Sequence, residues 1–133
     1  KIESGLWNLK NKTLAVLGIT FKPNTDDIRY APSIEIIQML QKEGARIQAF
    51  DPQGMEHAKK IMPDVKFVNG PYETLRGADA LVFLTEWPDF LRMDFKRVKT
   101  LLKNPIIFDG RNALDGRKLK ELGFQYYSMG RNI

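Results

Sequence analysis

Lys22, Arg29 and Arg111 are the side chains of this sequence best suited to hold a diphosphate. Lys22 and Arg29 lie seven residues apart in the stretch Phe21-Lys22-Pro23-Asn24-Thr25-Asp26-Asp27-Ile28-Arg29, and Arg111 follows Asp109-Gly110. Ammonium and guanidinium groups give charge-assisted hydrogen bonds to phosphate oxygens, and arginine does so through a planar fork. Phe21 and Trp87 offer an aromatic wall for a base or a sugar. Asp26 and Asp27 would partly cancel these cations, or orient Arg29. Each residue also has an ordinary reading. A cation after a strand is most often solvated, Phe21 can pack at a rim, and Trp87 can cap a core beside Pro88. Asp51 mimics the ribose-binding acid of dinucleotide folds, but without a glycine fingerprint it reads as a turn and helix-cap residue. Asp109 reads as a cap on the turn after its strand.

Composition removes other chemistries. The 133 residues contain no cysteine and one histidine, His57. Disulfides, thiolate zinc sites and a cysteine nucleophile are excluded, and a Ser-His-Asp triad or a multi-histidine metal site is disfavoured. No metal site is expected. With 43% hydrophobic residues the chain is neither disordered nor collagen-like. Its longest apolar run, Ala80 to Leu84, is far shorter than the ~20 residues of a membrane span, and no membrane partner is expected. The net charge of +5 raises a nucleic-acid-binding module as a distant alternative. The densest cations, Lys96, Arg97, Lys99 and Lys103, fall on the solvated face of an amphipathic segment, so no nucleic-acid partner is expected.

The elements that must position these residues alternate regularly. Leu14 to Ile19, Arg46 to Phe50, Val65 to Val68, Leu81 to Leu84, Ile106 to Phe108 and Tyr126 to Met129 read as strands. Ser33 to Glu43, closed by Gly44, reads as a helix, as do Gln53 to Met62, Tyr72 to Arg76, a short piece after Pro88, the segment capped by Asp94, and Asp115 to Leu122. The first, fourth and fifth strands are apolar runs, which indicates a sheet covered on both faces. The expected fold is α/β: a Rossmann-like, doubly wound, mostly parallel sheet of about six strands with helices on both faces. In the order 3-2-1-4-5-6 the winding reverses between strands 1 and 4, and ligands bind outside the carboxyl ends of strands at such a point. The segments after strands 1, 4 and 5 carry Phe21, Lys22, Arg29, Trp87 and Arg111.

These segments bear a specific resemblance. Leu17-Gly18-Ile19-Thr20-Phe21-Lys22-Pro23-Asn24-Thr25-Asp26-Asp27-Ile28-Arg29, followed by Ala31-Pro32-Ser33, resembles the C-terminal domain of the UDP-glucose/GDP-mannose dehydrogenase family. Gly44-Ala45 with Phe50-Asp51-Pro52, Gly77-Ala78-Asp79-Ala80, Thr85-Glu86-Trp87 and Phe108-Asp109-Gly110-Arg111-Asn112 are similar to its later motifs. The resemblance covers roughly residues 11 to 130. Within the family, Asn24-Thr25-Asp26-Asp27 and Thr85-Glu86-Trp87 look most like UDP-glucose 6-dehydrogenases; UDP-N-acetylmannosamine and GDP-mannose dehydrogenases remain alternatives.

The resemblance implies a function and a set of roles. Complete enzymes of the family oxidise the C6 alcohol of a nucleotide sugar to a carboxylate with two NAD, through a thiohemiacetal and a thioester on a cysteine. An N-terminal domain binds NAD, a central helix forms a homo-oligomer, and the C-terminal domain holds the UDP half of the substrate. By position, Phe21, Lys22 and Arg111 correspond to substrate contacts, and Arg29 to an arginine that reaches NAD. No catalytic residue is expected in this chain, since the family's nucleophile, glycine-rich loop and catalytic lysine precede the part that resembles it. Residues 1–10, which include Trp7, are expected to be a leader from the preceding dimerisation helix, and 11–133 the nucleotide-sugar-binding domain. The expected partners are UDP-glucose, NAD and the N-terminal domain and central helix. The expected compartment is the cytoplasm, and the chain alone is expected to be inactive.

Overall fold

The computed structural model describes residues 9–20 and 32–128. The readings that fall on Trp7, Phe21, Lys22, Asp26, Asp27 and Arg29 lie outside the described residues. The described strands are β1 (Thr13–Leu17), β2 (Arg46–Phe50), β3 (Lys66–Phe67), β4 (Ala80–Phe83), β5 (Ile106–Asp109) and β6 (Gln125–Ser128). The helices are α1 (Pro32–Lys42), α2 (Met55–Ile61), α3 (Pro71–Leu75), α4 (Pro88–Leu91), α5 (Phe95–Leu101) and α6 (Gly116–Glu121).

The six strands form one sheet in the order β3-β2-β1-β4-β5-β6, with every pair parallel. The expected order and the reversal between β1 and β4 are both observed. The two faces are cored separately. Leu14, Val16, Ile47, Ala49, Val82 and Phe108 point to one side, where Ile37 and Leu40 of α1 and Ala58 of α2 cover them. Ala15, Leu17, Leu81, Phe83 and Ile107 point to the other, against Leu75, Phe90, Val98 and Leu119 of α3 to α6. Covering both faces makes β4 and β5 buried throughout, which is why they read as apolar runs rather than alternating ones. Each large side chain so buried, such as Phe83 or Phe108, contributes roughly 1.5–3 kcal/mol.

Local chemistry sets the element ends. Asp94 and Asp115 each accept a backbone N–H of their helix, from Lys96 and Lys118. Pro71 and Pro88 sit in the first turns of α3 and α4, where a missing N–H is harmless. Gly44 closes α1 at positive φ, and the N–H groups of Gly44 and Ala45 bond back to the carbonyls of Gln41 and Leu40.

One strand ends earlier than the apolar run suggests. β1 stops at Leu17, whereas the sequence reading extends it to Ile19. Gly18 turns the chain at φ 98°, and a Cβ there would lie 2.5 Å from both Cβ and N of Thr85. Only glycine lets the ends of β1 and β4 approach this closely. The N–H groups of Ile19 and Thr20 leave the sheet and donate to Asp51 instead.

Candidate functional site

The site is built on the carboxyl-end rim of β1, β2, β4 and β5. Four segments leave it: Gly18–Thr20, the turn from Asp51, Leu84–Trp87 and Gly110–Asp115. Asp51 is the fixed point beneath them. It is fully buried. Its Oδ2 accepts from Ile19 N at 2.8 Å, Thr20 N at 3.0 Å and Thr20 Oγ1 at 3.1 Å, and from the indole Nε1 of Trp87 at 3.3 Å. Its Oδ1 accepts from Gln53 N at 2.9 Å and Gly54 N at 2.7 Å. The turn-and-cap reading of Asp51 is therefore correct for Oδ1. The sequence reading missed that Oδ2 also ties the β1 and β4 ends together.

Thr20 and Thr85 complete that tie. Thr85 Oγ1 donates to the carbonyl of Thr20 at 2.8 Å, and Ser33 Oγ of α1 donates to the carbonyl of Ile19. Thr20, Thr85 and Trp87 are all buried. Trp87 packs in the second core with Phe83 and Phe90 nearby in the same cluster. Of the two readings of Trp87, the core cap beside Pro88 is the one observed, and the aromatic wall is not: the residue is 4% exposed and offers no open face.

Asp109 does the same service at the end of β5. It is fully buried. Oδ1 accepts from Arg111 N at 3.0 Å, and Oδ2 from Leu114 N and Tyr126 Oη, both at 2.8 Å. The cap reading holds; the tyrosine bond to β6 was not foreseen. The next residue after Arg111, Asn112, has φ 56°, a conformation asparagine tolerates better than most residues.

Arg111 is the one proposed site residue among those described. It stands at the rim as an ion-paired cation. Its Nε lies 2.7 Å from Glu86 Oε2 and its Nη2 3.2 Å from Glu86 Oε1, a bidentate pair bridging the rims of β5 and β4. Both side chains are about one-third exposed, 34% for Arg111 and 31% for Glu86. The hydrogen bonds from Arg111 hold the Glu86 carboxyl below its ordinary range, against the opposing pull of partial burial. The same bonds raise the Arg111 guanidinium above its ordinary value. The pair is therefore ionised at neutral pH. Glu86 stands in the Thr85-Glu86-Trp87 stretch just after the fully apolar β4, but its pairing with Arg111 follows only from the adjacency of β4 and β5.

The described residues do not form a dinucleotide cradle. NAD sites of the usual kind need a glycine-rich turn after β1 that brings a helix N-terminus to the pyrophosphate, and a free acid after β2 for the ribose. Here the space over Gly18 is filled by Thr85, and both oxygens of Asp51 are engaged by internal donors. The basic group on α5 is also partly spent internally. Arg97 stacks over the Tyr72 ring at 4.1 Å, and Lys99 Nζ donates to the carbonyl of Leu122. A separate groove of about 650 Å³ lies between α5 and α6, lined by Phe95, Leu114, Leu119 and Leu122. Its two aspartates, Asp94 and Asp115, are occupied as helix caps. Among the described residues no helix is long and apolar enough to cross a membrane.

Known proteins resemble this chain in sequence and fold. Residues 15–116 match the UDP-glucose/GDP-mannose dehydrogenase family, UDP binding domain. The chain belongs to the UDP-glucose/GDP-mannose dehydrogenase family. It is 44% identical over 124 residues to UDP-glucose 6-dehydrogenase of Rhizobium meliloti (strain 1021), covering 93% of this chain and 28% of that protein. A UDP-glucose dehydrogenase from the hyperthermophilic archaeon Pyrobaculum islandicum superposes with a TM-score of 0.76 at 29% identity, over 94% of this chain and 27% of the other. NDP-N-acetyl-D-galactosaminuronic acid dehydrogenase from Methanosarcina mazei gives a TM-score of 0.81 at 28% identity, over 94% and 26%. The chain thus spans little more than a quarter of each of these family members. The resemblance drawn from the residues after β1, β4 and β5 and the doubly wound fold are both borne out.

Proposed function

We propose that this chain is the UDP-binding part of a UDP-glucose 6-dehydrogenase and holds the nucleotide half of UDP-glucose at the β1/β4 switch point. The observation that carries the reading is the placement of Arg111. It stands at the carboxyl end of β5, beside switch strand β4, on a backbone locked by Asp109, with its guanidinium at the rim. In this reading Phe21 and Lys22, directly after buried Thr20 in sequence, contribute the other substrate contacts. Lys22 binds a phosphate as a point charge. Arg29 reaches toward NAD held elsewhere, since the described residues do not fit that cofactor.

The activity belongs to a longer protein in this account. The complete enzyme is an NAD-dependent oxidoreductase that converts UDP-glucose to UDP-glucuronate, and it works as a cytoplasmic homo-oligomer. Residues 1–10 lead in from its central helix, and 11–133 form the substrate domain. The zero cysteine count supports a division of labour: no thiol in this chain can carry a thioester. The chain's own residues bind and orient the nucleotide, and none performs the oxidation. UDP-N-acetylmannosamine or GDP-mannose is the alternative substrate, and the likeness to the Methanosarcina mazei protein favours keeping an N-acetylated sugar under test.

Calorimetric titration with UDP, UDP-glucose and GDP tests this reading. Saturable heat with UDP and UDP-glucose, and none with GDP, is expected. Equal binding of GDP would move the chain to the GDP-mannose branch. The absence of heat with all three would remove the nucleotide site from this chain.

A further inference from the structure

Glu86 is held more firmly than a surface glutamate needs to be. Its neighbour Thr85 is buried and bonded to the Thr20 carbonyl, and its neighbour Trp87 is buried and bonded to Asp51. Pro88 follows, which confines Trp87 to extended backbone, as observed at φ −59° and ψ 138°. Arg111 is anchored in the same way, by Asp109 on one side and by the turn at Asn112 on the other. Two rigid backbones thus present one carboxylate and one guanidinium to each other across the rim.

The pairing uses only one edge of the guanidinium. Glu86 takes Nε–H and one N–H of Nη2. A guanidinium has five N–H donors. The second Nη2 hydrogen and both Nη1 hydrogens remain, and among the described residues they have no acceptor. The Nη1/Nη2 edge presents two parallel donors, the geometry that suits a second bidentate acceptor.

We propose that Glu86 is a positioning residue for Arg111, holding the side edge of the guanidinium so that its end edge is presented to two oxygens of the bound nucleotide. The inference rests on the reading that Arg111 contacts the nucleotide. The carboxylate is not a placeholder that a phosphate displaces; it stays in the complex. Fixing the guanidinium beforehand removes rotamer entropy that binding would otherwise have to overcome. An unpaired Arg111 would carry more net charge but sample several rotamers. The claim is therefore that geometry outweighs charge at this residue.

The test uses UDP as probe, with Glu86→Ala, Glu86→Gln and Arg111→Ala in this chain and thermal unfolding of each as the folding check. Glu86→Ala is expected to weaken UDP binding by roughly tenfold while leaving the unfolding midpoint nearly unchanged, as for other solvent-facing ion pairs. Glu86→Gln keeps an acceptor oxygen for Nε–H and is expected to recover part of the affinity. Adding Glu86→Ala to Arg111→Ala should cause no further loss, because the two act as one unit. The Arg111 Nε–H proton resonance, held by Glu86 in the free chain, should persist at saturating UDP. Tighter UDP binding by Glu86→Ala, or loss of that resonance on adding UDP, would make Glu86 a competitor and overturn the proposal. Equal losses for Gln and Ala would assign the effect to charge and overturn it as well. If Arg111→Ala weakens binding and Glu86→Ala does not, the positioning role alone fails. If Arg111→Ala has no effect, the nucleotide contact itself fails, and this inference fails with it.

Discussion

The indole Nε1 of Trp87 lies 3.3 Å from Oδ2 of Asp51, joining the end of β4 to the end of β2 beneath the loop that leaves β1. Thirty-six residues separate the two in sequence. The same Oδ2 accepts the N–H groups of Ile19 and Thr20, so one carboxylate fixes the last described residues before Phe21 and Lys22. In the proposed function these residues lead into two substrate contacts, and contacts gain precision from a rigid support. Among the described residues that support is a buried acid whose two oxygens both accept internal donors.

Replacing Asp51 with Ala should be severely destabilising. Two backbone N–H groups after β1, two before α2 and the Thr20 hydroxyl would lose the carboxylate that accepts them in buried or part-buried positions, and the Trp87 indole would keep only Thr20 Oγ1. The expected cost is on the order of 3–5 kcal/mol. Trp87→Phe, which removes one shared N–H donor and its two 3.3 Å contacts to Asp51 Oδ2 and Thr20 Oγ1, should cost far less on that count than Asp51→Ala. Urea unfolding curves for both variants measure the difference.

Gly18→Ala and Gly77→Ala form a matched pair. Both glycines have positive φ, 98° and 73°. A Cβ at Gly77 meets nothing within 4 Å, whereas one at Gly18 meets the Thr85 backbone at 2.5 Å. Gly77→Ala should cost roughly 1–2 kcal/mol for its backbone conformation alone. Gly18→Ala should cost clearly more, because β1 and β4 must separate. Denaturant midpoints of the two variants check this, and equal costs would show that the switch point can yield.

The Glu86–Arg111 pair sets a direction for pH dependence. Arg111 lowers the folded-state value of Glu86 below its unfolded one. Unfolded glutamate therefore binds protons first as pH falls, and stability from the pair is full above the unfolded value. It is lost as pH drops through the lowered folded value. The amount is small, up to about 1 kcal/mol, because both side chains are partly solvated. Unfolding free energies of the parent chain and Glu86→Gln should converge in acid and diverge above the glutamate range.

The isolated chain should show no NAD reduction with UDP-glucose. It has no cysteine to form a thioester. Among the described residues, Thr85 fills the space over Gly18 and Asp51 is engaged by internal donors, so these residues form no dinucleotide cradle. An absorbance assay at high protein concentration checks this, and any turnover above the buffer rate would contradict the assignment of catalysis to residues outside the chain.

Much of the fold was legible because its signals are local. Apolar runs mark β4 and β5, Asp94 and Asp115 cap their helices, and Gly44 closes α1. The end of β1 was misread because Ile19 continues an apolar run while its N–H answers to Asp51, which comes 32 residues later. The sequence leaves Trp87 open between an aromatic wall and a core cap for a related reason. An aromatic residue after a strand looks the same in sequence whether it faces solvent or turns inward, and here a buried hydrogen bond turns it inward. Glu86 was passed over because pairing across two loops follows only from strand order. The position of Arg111 at the rim follows from its place after β5, and the motif around it carries part of the resemblance to the family that the chain belongs to.

Titration of the chain with UDP, repeated for Lys22→Ala and Arg111→Ala, tests the central claim most directly. The account predicts saturable binding by the parent chain, weakened at least tenfold in each variant, on the order of the loss of a charge-assisted contact. Unchanged affinity in both variants, or no binding by a parent chain that unfolds cooperatively, would contradict it.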